Sequence, residues 1–144
     1  MNHSGPPAGS PKARIIDYPD HHLICWFPGG EVTSDEVLAF ISHLQNCPWG
    51  HLANRFCDLT EVLSFPFDYS VLHEVAEIRQ NRLRDHVGVK LVLYSKNPLG
   101  FGMSRMYQSL LERWPMEIAT TQDLQEACRV LALGDLRLLE RPRG

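Results

Sequence analysis

Cysteine is scarce in this chain and scattered. Cys25, Cys47, Cys57 and Cys128 are its four cysteines, and no two form a C-x-x-C pair. Such spacing argues against a disulfide framework and fits a reducing, cytoplasmic setting. An excess of one charge is lacking too: the formal net charge is -3, and both signs are mixed along the chain. Without a basic face there is no footprint for nucleic acid, and without a polybasic run there is nothing to hold anionic lipid. No apolar window approaches the length of a membrane span, so integral insertion is not expected. Residues 1–10 lack the apolar stretch of a signal peptide. Also missing are a G-x-S-x-G elbow and any H-x-x-x-H or H-x-H pair.

What remains is an ordinary globular composition. Of 144 residues, 44% are hydrophobic and 22% charged, which predicts one domain. A chain of this size buries roughly two-thirds of its unfolded surface, enough for a core without metal or disulfide. Gly5, Pro6, Pro7, Gly9 and Pro11 make residues 1–12 a disordered tail. Residues 13–134 form the single domain. Residues 135–144 are a C-terminal tail whose end, from about Arg137, is basic and proline-containing and is expected to fray.

Within the domain, strand and helix patterns alternate. Ala13 to Tyr18 reads as a strand closed by a Pro19-Asp20 turn. Leu23 to Phe27 is a continuous apolar run, the mark of a strand covered on both faces, and Pro28-Gly29-Gly30 ends it. Thr33 is placed to cap a helix, with Glu36 completing a capping box and Val37, Leu38, Ile41 and Leu44 as its apolar stripe. Pro48 and Gly50 stop that helix. Strands follow at Ala53 to Leu59, Val87 to Tyr94 and Met116 to Ala119. Helical spacing marks Val71, Leu72, Val75, Ile78 and Leu83, then Met103, Met106, Tyr107, Leu110 and Leu111. Thr120 or Thr121 is expected to cap a last helix carrying Leu124, Ala127, Cys128 and Leu131. Alternation of this kind implies an α/β domain on a mostly parallel sheet, mixed because the first two strands form a hairpin.

Four segments fall in a recognisable order: Gly29-Gly30-Glu31-Val32-Thr33, Asp58-Leu59-Thr60-Glu61-Val62, Gly100-Phe101-Gly102-Met103-Ser104-Arg105-Met106-Tyr107 and Asp123-Leu124-Gln125-Glu126-Ala127. With the order β-β-α-β-α-β-α-β-α, they make the stretch from Arg14 to Leu133 resemble the SpoIIAA-like domain of small bacterial proteins, a relative of the STAS and CRAL-TRIO folds. The resemblance implies a mixed, mostly parallel five-stranded sheet packed with about four helices. It also implies binding: STAS relatives bind partner proteins, sometimes under serine phosphorylation, and CRAL-TRIO relatives bind lipid. Phe67 to Leu72 is similar to the Asp-Ser-Ser-Gly-Leu phosphorylation segment of anti-sigma-factor antagonists, which makes Ser70 the residue for a phosphate. Tyr69 stands in place of the first serine of that motif, and no glycine follows Ser70.

Each chemical candidate has a plainer reading beside it. Asp58 with Glu61 suggests acid/base work at a strand end, where α/β sheets place their sites. Alternatively, Asp58 accepts from loop amides and holds the strand exit. Gly100 and Gly102 before a helix offer free amides to an anion, with Arg105 one turn on; the same glycines would serve a tight turn and close helix packing. Met103, Met106 and Tyr107 line either the core or a pocket for an apolar ligand. Ser70 is either a modified residue or a helix cap. The seven histidines lie without ligand spacing and read as surface or turn residues, so no metal and no cofactor is expected.

The sequence therefore reads first as a non-enzymatic STAS-type binding or regulatory module, acting through a protein partner or self-association. Its candidate contact residues are Asp58, Gly100, Gly102, Arg105 and Tyr107. The alternative is a carrier of a small apolar or lipid-like ligand held between sheet and helices. An enzyme using Asp58 comes third.

Overall fold

The computed structural model describes residues 14–64, 88–97, 102, 105 and 117–142. The apolar run Leu23 to Phe27 forms β2 (Leu23–Phe27), and all five of its side chains are buried. β1 (Arg14–Tyr18) pairs with it antiparallel, joined by a 3-10 turn at Pro19–His21. His22 closes that turn with a positive φ of 49°, so His21 and His22 lie in the connection, not on opposite sides of a strand as an extended chain would place them. β4 (Asn54–Asp58), β6 (Lys90–Tyr94) and β7 (Glu117–Thr121) then add in parallel, giving the order β1-β2-β4-β6-β7. The expected five-stranded, mostly parallel sheet is present.

Two short strands stand outside the sequence expectation. β3 (Gly29–Glu31) and β5 (Glu61–Ser64) pair in parallel as a separate two-stranded sheet, with an irregular register between Gly30 and Glu31. Pro28-Gly29-Gly30 does end β2, but the chain leaves it extended rather than turning. Gly30 takes a φ of 68° at the irregularity, a region open to glycine.

Side chains alternate between the two faces of the large sheet. One cross-strand row runs Ile15, Trp26, Cys57, Leu93. It faces α1 (Ser34–Asn46), whose Phe40 ring stacks on Trp26 at 4.7 Å between centroids. The neighbouring row runs Ile16, Cys25, Phe56, Val92, Ala119 and faces α2 (Leu124–Val130). Each fully buried aliphatic or aromatic side chain contributes roughly 1.5–3 kcal/mol.

The caps explain the helix limits. Thr33, extended, accepts from the Glu36 N–H at 3.3 Å, which is the N-cap half of the expected capping box. After α1, a Cβ added at Gly50 would collide with the carbonyl oxygen of Leu44. Only glycine lets the chain double back so closely. At α2 the cap is Asp123 rather than Thr120 or Thr121: its side chain accepts from the Gln125 N–H at 2.9 Å. Thr121 ends β7, and its Oγ1 accepts from the Asp123 N–H at 3.0 Å, so it positions the cap instead of being it.

Among the described residues there are two α-helices rather than about four. The helix patterns over Val71 to Leu83 and Met103 to Leu111 fall outside the described residues, apart from Gly102 and Arg105, which are both helical and exposed. The expected loose tail is corrected at residues 135–142. Leu136–Leu139 is a 3-10 turn capped by Asp135, and Leu139 is completely buried against the α2-side core.

Two outcomes test this packing. Leu93→Asp would place a charge in a central strand on the α1 face, at a cost of several kcal/mol against a total stability of about 5–15 kcal/mol. The variant should show no cooperative melt by circular dichroism; a wild-type melt would mean that β6 is misplaced. Ala132 follows α2 with a φ of 56°, and the Leu133 N–H returns to the Cys128 carbonyl at 2.9 Å. A left-handed alanine is strained, so Ala132→Gly should gain about 0.5–1 kcal/mol in urea unfolding. A loss of stability would contradict that conformation.

Candidate functional site

In open parallel sheets, ligands collect at the carboxyl ends of the strands. Here that edge carries Phe27 and Pro28 after β2, Asp58 to Thr60 after β4, Tyr94 to Asn97 after β6, and Thr121 to Asp123 after β7. β4 is buried along most of its length, which brings Asp58 out at the rim nearly without solvent exposure.

The Asp58 side chain is engaged by its own loop. The Thr60 N–H donates to Asp58 Oδ1 at 2.9 Å, and the Thr60 hydroxyl donates to the same oxygen at 2.6 Å. Two donors on one carboxylate oxygen turn the chain immediately after the strand. The plainer reading of Asp58, as the holder of the strand exit, is the one this geometry matches.

Hydrogen bonds tie successive strand ends together. Arg141 joins β2 to β4: its Nη2 donates to the Pro28 carbonyl at 2.9 Å and to the Asp58 carbonyl at 3.0 Å, and its Nη1 donates to the Phe27 carbonyl at 3.4 Å. The guanidinium carbon lies 5.7 Å from the centre of the Phe27 ring, and Nη2 is 3.6 Å from Asp58 Oδ1. Asn97 joins β4 to β6, its Nδ2 donating to the Thr60 carbonyl at 3.0 Å. Ser95 joins β6 to β7, its N–H donating to the Thr121 carbonyl at 3.1 Å while its Oγ accepts from the Asn97 N–H at 3.2 Å.

Burial pushes the Tyr94 hydroxyl above its ordinary range, and the negative charges of Asp58 and Asp123 add to the shift. Deeper in the sheet, burial drives the Cys57 thiol up to about 12 and raises Cys25 further still. Both thiols are protonated at neutral pH and sit as small apolar groups. All four cysteines are free. Among the described residues no three His, Cys, Asp or Glu side chains converge as a metal site, and no helix is long and apolar enough to cross a membrane.

The other candidates separate. Among the described residues nothing stands where a Gly102 side chain would project, so close packing against them does not require a glycine there. Arg105 is exposed. Gly100, Tyr107 and Ser70 lie outside the described residues, as do Met103 and Met106. Of the candidates, Asp58 stands at the rim, and beside it stands Arg141, which the sequence reading missed. Its basic, proline-containing surroundings carry no local signal of burial.

No family model and no curated protein matches the chain. Among solved structures it is similar to an uncharacterized protein of the DUF3478 family with a SpoIIAA-like fold from Shewanella loihica PV-4. The identity is 14%, the TM-score is 0.57, and the match covers 90% of this chain and 99% of that one. The chain thus has a SpoIIAA-like fold.

Thr60→Val keeps the shape of the side chain and removes the shorter of the two bonds to Asp58. A buried carboxylate deprived of a donor should lose about 1–3 kcal/mol, read as a lower urea midpoint at unchanged slope. An unchanged midpoint would show that the hydroxyl bond contributes nothing.

Proposed function

We propose that this SpoIIAA-like domain is a non-enzymatic binding module of the STAS type that acts through a protein partner. The observation that carries the reading is the engagement of Asp58. This acidic side chain, which the strand order brings to the centre of the rim, holds its own loop and lies beside a guanidinium. A general base needs a carboxylate oxygen within reach of a substrate proton, whereas Asp58 Oδ1 already accepts two internal hydrogen bonds. Ser95 and Thr121 are engaged in the same way by Asn97 and Asp123. A rim tied in this manner favours a rigid surface for recognition over a site that must rearrange protons. Four free thiols accord with a reducing, cytoplasmic setting for that module.

The test is native mass spectrometry of the protein as purified from its host. A mass equal to that of the polypeptide, with a dimer or a protein-partner peak, is the expected result. A bound small molecule that survives gentle desolvation would replace this reading with that of a carrier for an apolar ligand.

A further inference from the structure

The C-terminal segment reaches the strand ends after a turn that follows α2. After α2 the chain turns through Ala132 in the left-handed region and Gly134, around whose Cβ position no described residue packs. Beyond that point Asp135 and Arg137 pair with each other at 3.1 Å, and Leu136 is exposed. Among the described residues, two side chains anchor the segment to the rest of the domain. Leu139 enters the core beside Cys25, Phe27 and Phe56, and Arg141 enters the bowl of carbonyl oxygens at the ends of β2 and β4.

The Arg141 anchor is incompletely satisfied. Its hydrogen-bond acceptors are neutral carbonyls. The Asp58 Oδ1 beside it, at 3.6 Å, is beyond hydrogen-bond distance and already accepts twice from Thr60. Arg141 Nε is buried and has no hydrogen-bond partner among the described residues. Arg141 and Asp58 form an ion pair at 3.6 Å without a bidentate hydrogen bond, and a guanidinium with one buried donor unsatisfied holds less firmly than one in a bidentate pair. Both anchors bear on one place. Leu138 sets its carbonyl 3.8 Å from Cys25 Sγ, and the Arg141 guanidinium lies over the Phe27 ring.

We propose that residues 135–142 are a strap, closed by the Arg141 guanidinium in this carbonyl bowl, whose release uncovers Cys25 and Phe27 without unfolding the sheet. The hinge is Ala132 to Gly134. Opening would present an apolar strip of β2 on the α2 side, while the α1 face, with Cys57, stays packed. The inference rests on the geometry of the segment and stands whether or not the module reading is correct.

Two thiols make the strap testable. Cys25 and Cys57 are both almost fully buried, on opposite faces of the sheet, and global unfolding exposes them together. The full-length chain is treated under native conditions with a thiol-alkylating reagent, and each cysteine is followed by peptide mapping. In the wild type Cys25 should label at least tenfold faster than Cys57. Arg141→Ala should speed Cys25 labelling a further tenfold and leave Cys57 unchanged, and Arg141→Lys should fall between, because an ammonium cannot span the three carbonyls. A synthetic peptide of residues 135–142 added to Arg141→Ala should slow Cys25 labelling again. Equal labelling of Cys25 and Cys57 in the wild type would mean that both are reached only by unfolding, and the strap would be abandoned. It would be abandoned equally if Arg141→Ala accelerated both thiols to the same extent, or neither.

Discussion

A strand with no exposed side must be covered twice. β2 imposes that requirement on the whole domain, because Leu23, Ile24, Cys25, Trp26 and Phe27 are all buried and alternate between two faces. Burying such a run on one side only would leave half of it in water. α1 supplies one cover, with Phe40 on Trp26. The second is assembled from α2 and the turn at Leu136–Leu139. The parallel neighbours of β2 follow from the same demand, since βα units are how a chain keeps adding strands while covering their faces.

Backbone polar groups set a second constraint. Where parallel strands end, their carbonyls leave the ladder, and at the rim they need donors. This domain satisfies several of them across strand ends, Arg141 and Asn97 with side-chain donors and Ser95 with its backbone N–H. The rim is consequently tied along its length. That economy of donors is why Asp58, placed where a catalytic carboxylate would stand, serves as part of the frame.

Much of the frame was legible in the sequence. The double-sided burial of Leu23 to Phe27, the hairpin before it, the Thr33 cap and the parallel strands could be read from local pattern, because each is decided by residues close in sequence. The misses have a common physical cause. Asp123 displaced Thr121 as the cap of α2 because both are good capping residues and only the path of β7 decides between them. β3 and β5 are too short for period-two patterning, and their pairing depends on where two distant loops run. Arg141 was hidden by composition: a basic, proline-containing end looks solvated until the carbonyls of Phe27, Pro28 and Asp58 are seen to need it. Asp58 was found by its position at a strand end, and its two donors from Thr60 decide between the readings that position allowed.

The strand order also bears on the path of folding. β1 and β2 meet through a turn of a few residues, whereas each parallel pairing joins positions roughly 30 apart. Closing the short loop costs little chain entropy, and closing the long ones must await apolar contacts that offset it. The hairpin is thus the natural first scaffold, and its exposed edge is the template on which β4 docks, followed by β6 and β7. The segment after α2 can dock only once β2 and β4 have paired, because its anchor points lie on both strands.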